Sequence, residues 1–254
     1  MNSYQPMPRF PTQASSGSMV TLDMKQGDVN GDGVLDTVYL IGNKPDGPSG
    51  IYADHISVVI QDGRSKQQTA VHFQNNAGYN ARLFLGDFDR DRIPDILVSI
   101  DSGGSGGYGF FYMYSFKNNM LRKMFDVDTY NKTYSFKVNY EDNYKVSVSN
   151  AQLDVLFLLD ISLKGPDYLA ALYNENGKLL KPIQGQVLAL GALKPIIADE
   201  KADGYDLLAI QRIIGTFNAD TLGYVENILT WMGTGFVSNM LSVSILGSKL
   251  IALY

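Results

Sequence analysis

The side chains best placed for chemistry lie in two acidic stretches of one pattern. The first reads Gly27-Asp28-Val29-Asn30-Gly31-Asp32-Gly33-Val34-Leu35-Asp36, the second Gly86-Asp87-Phe88-Asp89-Arg90-Asp91-Arg92-Ile93-Pro94-Asp95. In the first, Asp28, Asn30, Asp32 and Asp36 place side-chain oxygens at loop positions 1, 3, 5 and 9, and Val34 at position 7 offers a backbone carbonyl. Asp87, Asp89, Asp91 and Asp95, with the carbonyl of Ile93, repeat the set. In a tightly curled loop alternate side chains converge on one centre, and several hard anionic oxygens suit calcium. Gly31 and Gly33 allow the sharp turns; the second loop has Arg92 where the first has Gly33. Carboxylates this close repel one another unless a cation sits among them. The expectation is two structural Ca2+ ions, which would take the formal charge of -5 to about -1. An EF-hand is excluded, since position 12 is Tyr39 in one loop and Val98 in the other, each inside a β-type run rather than a bidentate Glu before a helix.

Weaker echoes begin at Asp160 and Asp199, each one residue short and with Lys164 or Lys201 where a ligand would stand. A positive charge there opposes an ion, so neither is expected to bind one. Other chemistries find little support. With no Cys and only two His, thiolate zinc, iron–sulfur, disulfide and multi-histidine chemistry are excluded. His55 follows Asp54, as a base follows its orienter, but no activated nucleophile accompanies the pair. The run 104–109 matches G-x-G-x-x-G, yet an aromatic strand follows it where a dinucleotide site needs a helix, so it reads as a hairpin tip.

The elements that must hold the loops are strands. Runs of β-branched and aromatic residues alternate with polar ones at 36–41, 55–60, 95–100, 134–138 and 144–148, separated by Asn, Asp, Gly and Pro turns. Residues 220–231 fit a helix or a strand, and no long segment keeps helical periodicity. Within 108–114, one alternate set of aromatic side chains should face the core and the other is either inter-blade packing or, if exposed, a surface that stacks on sugar rings or docks a partner. A chain of 254 residues, 45% hydrophobic and 19% charged, buries a real core. Residues 1–18, rich in Pro, Ser, Gln and Gly, read as a flexible arm before a single domain over 19–254. The first residues lack a basic start followed by an apolar block, so no secretory leader is expected, and no run is long enough to cross a membrane as a helix. A net charge of -5 argues against nucleic acid.

The pattern Asp-x-(Asn/Asp)-x-Asp-Gly-x-x-Asp leading into a hydrophobic strand, close over 28–41 and good over 87–100 apart from Arg92, resembles the FG-GAP/VCBS repeat. The chain is similar to uncharacterised VCBS-repeat proteins of spore-forming bacteria. The resemblance implies a β-propeller in which each repeat is one blade and the loop between its first two strands holds calcium. Loop starts at 28, 87, 160 and 199 suggest about five blades. Resemblance and residues together lead to a calcium-binding, non-catalytic module for a protein or glycan partner, associated by resemblance with a spore or cell surface. The alternatives are a hydrolase with carboxylate or histidine chemistry on a propeller face, and a structural component of an envelope.

Overall fold

The computed structural model describes residues 19–247; the arm expected over 1–18 lies outside them. The all-β class is borne out. The described residues form fifteen strands with two short α-helices: β1 (Met19–Gly27), β2 (Asp36–Asn43), β3 (Tyr52–Gln61), β4 (Gln68–His72), β5 (Gly78–Gly86), β6 (Asp95–Asp101), β7 (Gly109–Ser115), β8 (Arg122–Asp126), α1 (Val127–Thr133), β9 (Lys137–Glu141), β10 (Lys145–Asn150), β11 (Val155–Asp160), α2 (Pro166–Ala170), β12 (Gln184–Ile196), β13 (Asp206–Ile214), β14 (Thr221–Trp231) and β15 (Phe236–Ser244). Every pairing between named strands is antiparallel.

The strands do not divide into five separate blades. They join in two sheets, one ordered β1-β2-β3-β5-β6-β7-β8 with β4 on the side of β3, the other β11-β10-β9-β12-β13-β14-β15. The runs β1–β4, β5–β8 and β12–β15 are each a four-stranded meander, and a short pairing of Tyr52 and Ala53 with Tyr79 and Gly78 splices the first two. β1 also turns back against β5, where Asp23 Oδ2 accepts the Leu83 N–H at 2.8 Å, so the first sheet nearly closes on itself.

Alternation decides which faces are buried. In β2, Val38 and Leu40 are fully buried while their neighbours are half-buried. The ambiguous run after Asp220 is the strand β14, because its buried residues Val225, Asn227, Leu229 and Trp231 recur every second position, the period of a pleat and not of a helix. β6 is different, with both faces covered over most of its length. Ile96, Val98 and Ile100 enter one apolar cluster with Val38, Leu40 and Ile56, while Leu97 enters another with Phe111, Met113, Leu207 and Leu229. The middle of the first sheet is therefore the seam against the second sheet, and burial on both sides explains the nearly unbroken apolar run of β6. The aromatic run of β7 follows the same logic, with Phe111 and Met113 facing the seam and Tyr112 facing the first core. The G-x-G-x-x-G run precedes β7 as a turn, and Arg212 Nη2 reaches across to donate to Ser105 O at 3.0 Å.

Candidate metal centre

Each acidic loop joins the first two strands of a meander. In both, the final Asp opens the second strand opposite the last glycine of the first: Asp36 opposite Gly27, Asp95 opposite Gly86. That carboxylate folds back over the loop entrance. Asp36 Oδ2 accepts the Val29 N–H at 3.0 Å, and Asp95 Oδ2 accepts the Phe88 N–H at 3.0 Å. The first residue caps the turn in the same way: Asp28 accepts from Gly31, Asp32 and Gly33, and Asp87 from Asp91 and Arg92. The two loops share a backbone path. Gly31 and Gly33 have φ of 79° and 83°; Arg90 and Arg92 take the same left-handed region at 63° and 69°, at about 1 kcal/mol or more for each side chain.

The loops differ in what neutralises them. In the first, every carboxylate oxygen of Asp28, Asp32 and Asp36 has a partner within the chain. Asp36 takes the N–H groups of Val29, Asn30 and Gly63, and Asp32 Oδ2 takes the Arg64 guanidinium at 2.9 Å. Arg64 also donates to the carbonyl of Asp32 at 2.8 Å, and Asn30 spans to Asp62 at 2.7 Å. Val34 donates its own N–H to Asp32 Oδ1. An internal cation and a set of backbone donors thus close this loop.

The second loop gathers its acids more tightly. One oxygen from each of Asp87, Asp89 and Asp95 lies within 4.8 Å of the others, a grouping suited to an ion. Asp91 stands outside that grouping, with Oδ1 on the Ile93 N–H at 2.9 Å and Oδ2 on Lys117 Nζ at 3.0 Å. Asp89 Oδ2 takes Arg122 Nη2 at 2.7 Å. Asp89 Oδ1 is buried and, among the described residues, has no hydrogen-bond partner. Arg122 and Lys117 each pair with one of the four carboxylates, Asp89 and Asp91. Burial pushes the Asp95 carboxyl up to about 7, with the neighbouring Asp89, Asp91 and Asp87 adding to the rise and the Phe88 N–H opposing it. Burial and the charge of Asp91 raise Asp89 as well, against Arg122.

The second loop also sits on the other sheet. Tyr205 N–H donates to Asp87 O at 2.7 Å, Arg90 Nε donates to Asp203 O at 3.0 Å, and Arg90 Nη2 meets the buried Asp206 at 3.2 Å. Gly204, at φ 91°, is required here, because a Cβ would stand 2.7 Å from Asp87 O. On its other side Ile93 reaches the first loop, its Cδ1 lying 2.5 Å from where a Cβ on Gly31 would be.

The echo at Asp199 forms the β12–β13 connection, with Asp206 opposite Ile196 at the start of β13, and Asp206 serves Arg90. Asp160 ends β11 against Lys145, which with the Ser162 N–H holds its carboxyl well below the usual range. His55 pairs with Asp54 at 2.9 Å on an open surface, its side chain 76% exposed. Sequence reading missed a polar cluster. Asp220, buried at the β13–β14 turn, accepts Tyr168 OH at 2.7 Å, Tyr140 OH at 3.3 Å and Lys164 Nζ at 3.1 Å, and the two hydroxyls meet at 2.6 Å.

Fold and loops together define the class: an all-β protein of antiparallel meanders in which one acidic turn, the β5–β6 loop, rests against the second sheet. A family model described as the YybI C-terminal domain matches residues 134–244, which span the whole second sheet from just before β9 to the end of β15. The chain is 44% identical over 226 residues, 89% of its own length and 85% of the relative's, to "Uncharacterized protein YybI" of Bacillus subtilis (strain 168). It belongs to the YybI family. No solved structure matches it. These matches overturn the FG-GAP/VCBS resemblance, since neither names such repeats or calcium binding. The physical reason lies in the first loop: spaced Asp and Asn residues that cap backbone N–H groups generate the same short pattern without an ion, so the pattern does not define one family. Among the described residues, no helix is long and apolar enough to cross a membrane.

Proposed function

We propose that the protein is a non-catalytic binding module whose β5–β6 loop takes one hard divalent cation on Asp87, Asp89 and Asp95. The observation that carries this reading is Asp89 Oδ1, a buried carboxylate oxygen without a hydrogen bond beside two further carboxylates. A buried carboxylate oxygen left without a donor is costly unless a cation completes it. Oxygen-only donors favour the calcium and magnesium type of ion over zinc or copper. The first loop is not given an ion in this proposal, because Arg64 and backbone donors already serve its acids. The role is structural: the ion fastens a loop that both sheets touch. The meanders supply blade-like units, and a propeller-like packing of them about the seam is the finer architecture assumed. A protein or glycan partner would meet the loop-bearing surface.

The test is calorimetric titration of the metal-stripped chain with Ca2+, repeated with Asp89→Asn and Asp95→Asn. One site, lost in both variants, is expected. Heat from two equal sites that survive Asp89→Asn would overturn the assignment.

A further inference from the structure

The residue that aims Asp89 comes from a different strand and is itself held by the other sheet. Arg122, the first residue of β8, donates to Asp89 Oδ2 at 2.7 Å, and its guanidinium carbon lies 5.1 Å from the centre of the Trp231 ring at the end of β14. The Asp89 side chain is 9% exposed and its other oxygen has no hydrogen-bond partner among the described residues. One carboxylate therefore has one oxygen fixed by a cationic side chain and the other available to an ion. A planar guanidinium suits this task, because it donates to the carboxylate in its own plane while its face rests on an aromatic ring.

A second route joins the same places. Phe88, whose N–H supports Asp95, packs against Phe236 at 6.4 Å between ring centres, and Phe236 packs against Trp231 at 5.2 Å. Phe88 lies in the β5–β6 loop and Arg122 in β8, both of the first sheet's half, whereas Phe236 and Trp231 belong to strands of the second sheet. The loop acids and the only Trp of the chain are thus connected twice across the seam.

We propose that Arg122 is a positioning residue for the cation site and that Trp231 makes the site dependent on the docking of the second sheet. This deepens the reading of the β5–β6 loop as a cation site and rests on it. The ion binds Asp89 Oδ1 while Arg122 keeps Oδ2, as a residue behind a metal ligand keeps that ligand oriented. Coupling of this kind is reciprocal: what the docked sheet adds to ion affinity, the ion adds to sheet docking.

The experiment measures Ca2+ affinity by calorimetry and Trp231 emission in the same titration, on the full chain and on Arg122→Met and Arg122→Lys. Arg122 is half-exposed, so both variants are expected to fold, and a urea midpoint near that of the parent checks this. The parent is expected to show a saturable change in Trp231 emission that tracks the binding heat. Arg122→Met is expected to bind Ca2+ about 10-fold or more weakly and to lose the emission change, with Arg122→Lys between the two. Tighter binding by Arg122→Met would show that the guanidinium only competes with the ion, and would overturn the inference. Binding heat in the parent with no emission change would overturn the link to Trp231 and leave the cation site standing. An absence of binding heat in the parent would remove the site and the inference together.

Discussion

Arg64 and Arg122 mark the difference between two loops of one design: Arg64 closes on Asp32 at 2.9 Å in a loop whose acids are all served, and Arg122 closes on Asp89 at 2.7 Å in a loop that leaves one buried oxygen unserved. Equal sequence patterns therefore give different electrostatics, and the deciding residues lie outside both patterns.

The first loop should behave as a hydrogen-bonded turn. Asp36 is fully buried and receives three backbone N–H groups. Asp36→Ala leaves those donors unmatched and is expected to cost about 3 kcal/mol. Urea unfolding with and without chelator should give the same loss. A loss that appears only when Ca2+ is present would place an ion there.

The Asp220 cluster predicts alkaline sensitivity. Burial pushes the Tyr140 hydroxyl up to about 12, with the charge of Asp220 adding to the rise against the bond to Tyr168. Tyr168 is raised by burial and by the same neighbours. A folded pKa above the ordinary value of 10.0 means that this contribution to stability is whole below pH 10 and is lost as pH climbs through about 12. Tyr140→Phe should cost about 1 kcal/mol at pH 8 and flatten the fall between pH 10 and pH 12. Urea midpoints across that range check it; an equally steep fall in the variant would refute the assignment.

The start of α1 predicts an acid-side effect. Asp126 accepts the Thr129 N–H at 2.8 Å as the N-cap of the helix, and Lys123 sits against its other oxygen. The Lys123 ammonium and then the Thr129 N–H hold its carboxyl down at about 2. The contribution is present above the ordinary value of 3.8 and lost as pH falls through about 2. Asp126→Ala should cost about 0.5–1 kcal/mol at pH 7, because the group is partly exposed, and should make stability less steep between pH 4 and pH 2. Thermal melts over that interval show whether it does.

How much the sequence shows follows from the range of each interaction. Strands β2, β3 and β6 are legible because alternation or an apolar run is a local signal, and the acidic loops because their acids lie within ten residues. The helix-or-strand ambiguity at 220–231 arose because an 11-residue run with Gly223 and Asn227 satisfies both periods loosely, and pairing with β13 and β15 settles it. Arg64 and Arg122 act on acids 32 and 33 residues away, and Tyr140 and Tyr168 meet Asp220 across 80 and 52. No periodic or spacing signal reaches that far. The five-blade expectation is not shown by the strand pairing for a related reason: loop spacing reports where hairpins start, and cannot report that β3 pairs with β5 or that β9 pairs with β12.

The most direct test is the number and place of ions bound by the metal-stripped chain. Titration with Ca2+ in a calorimeter should give one ion per chain, abolished by Asp89→Asn and untouched by Asp32→Asn. A stoichiometry of zero, or binding that depends on Asp32 and ignores Asp89, would contradict it.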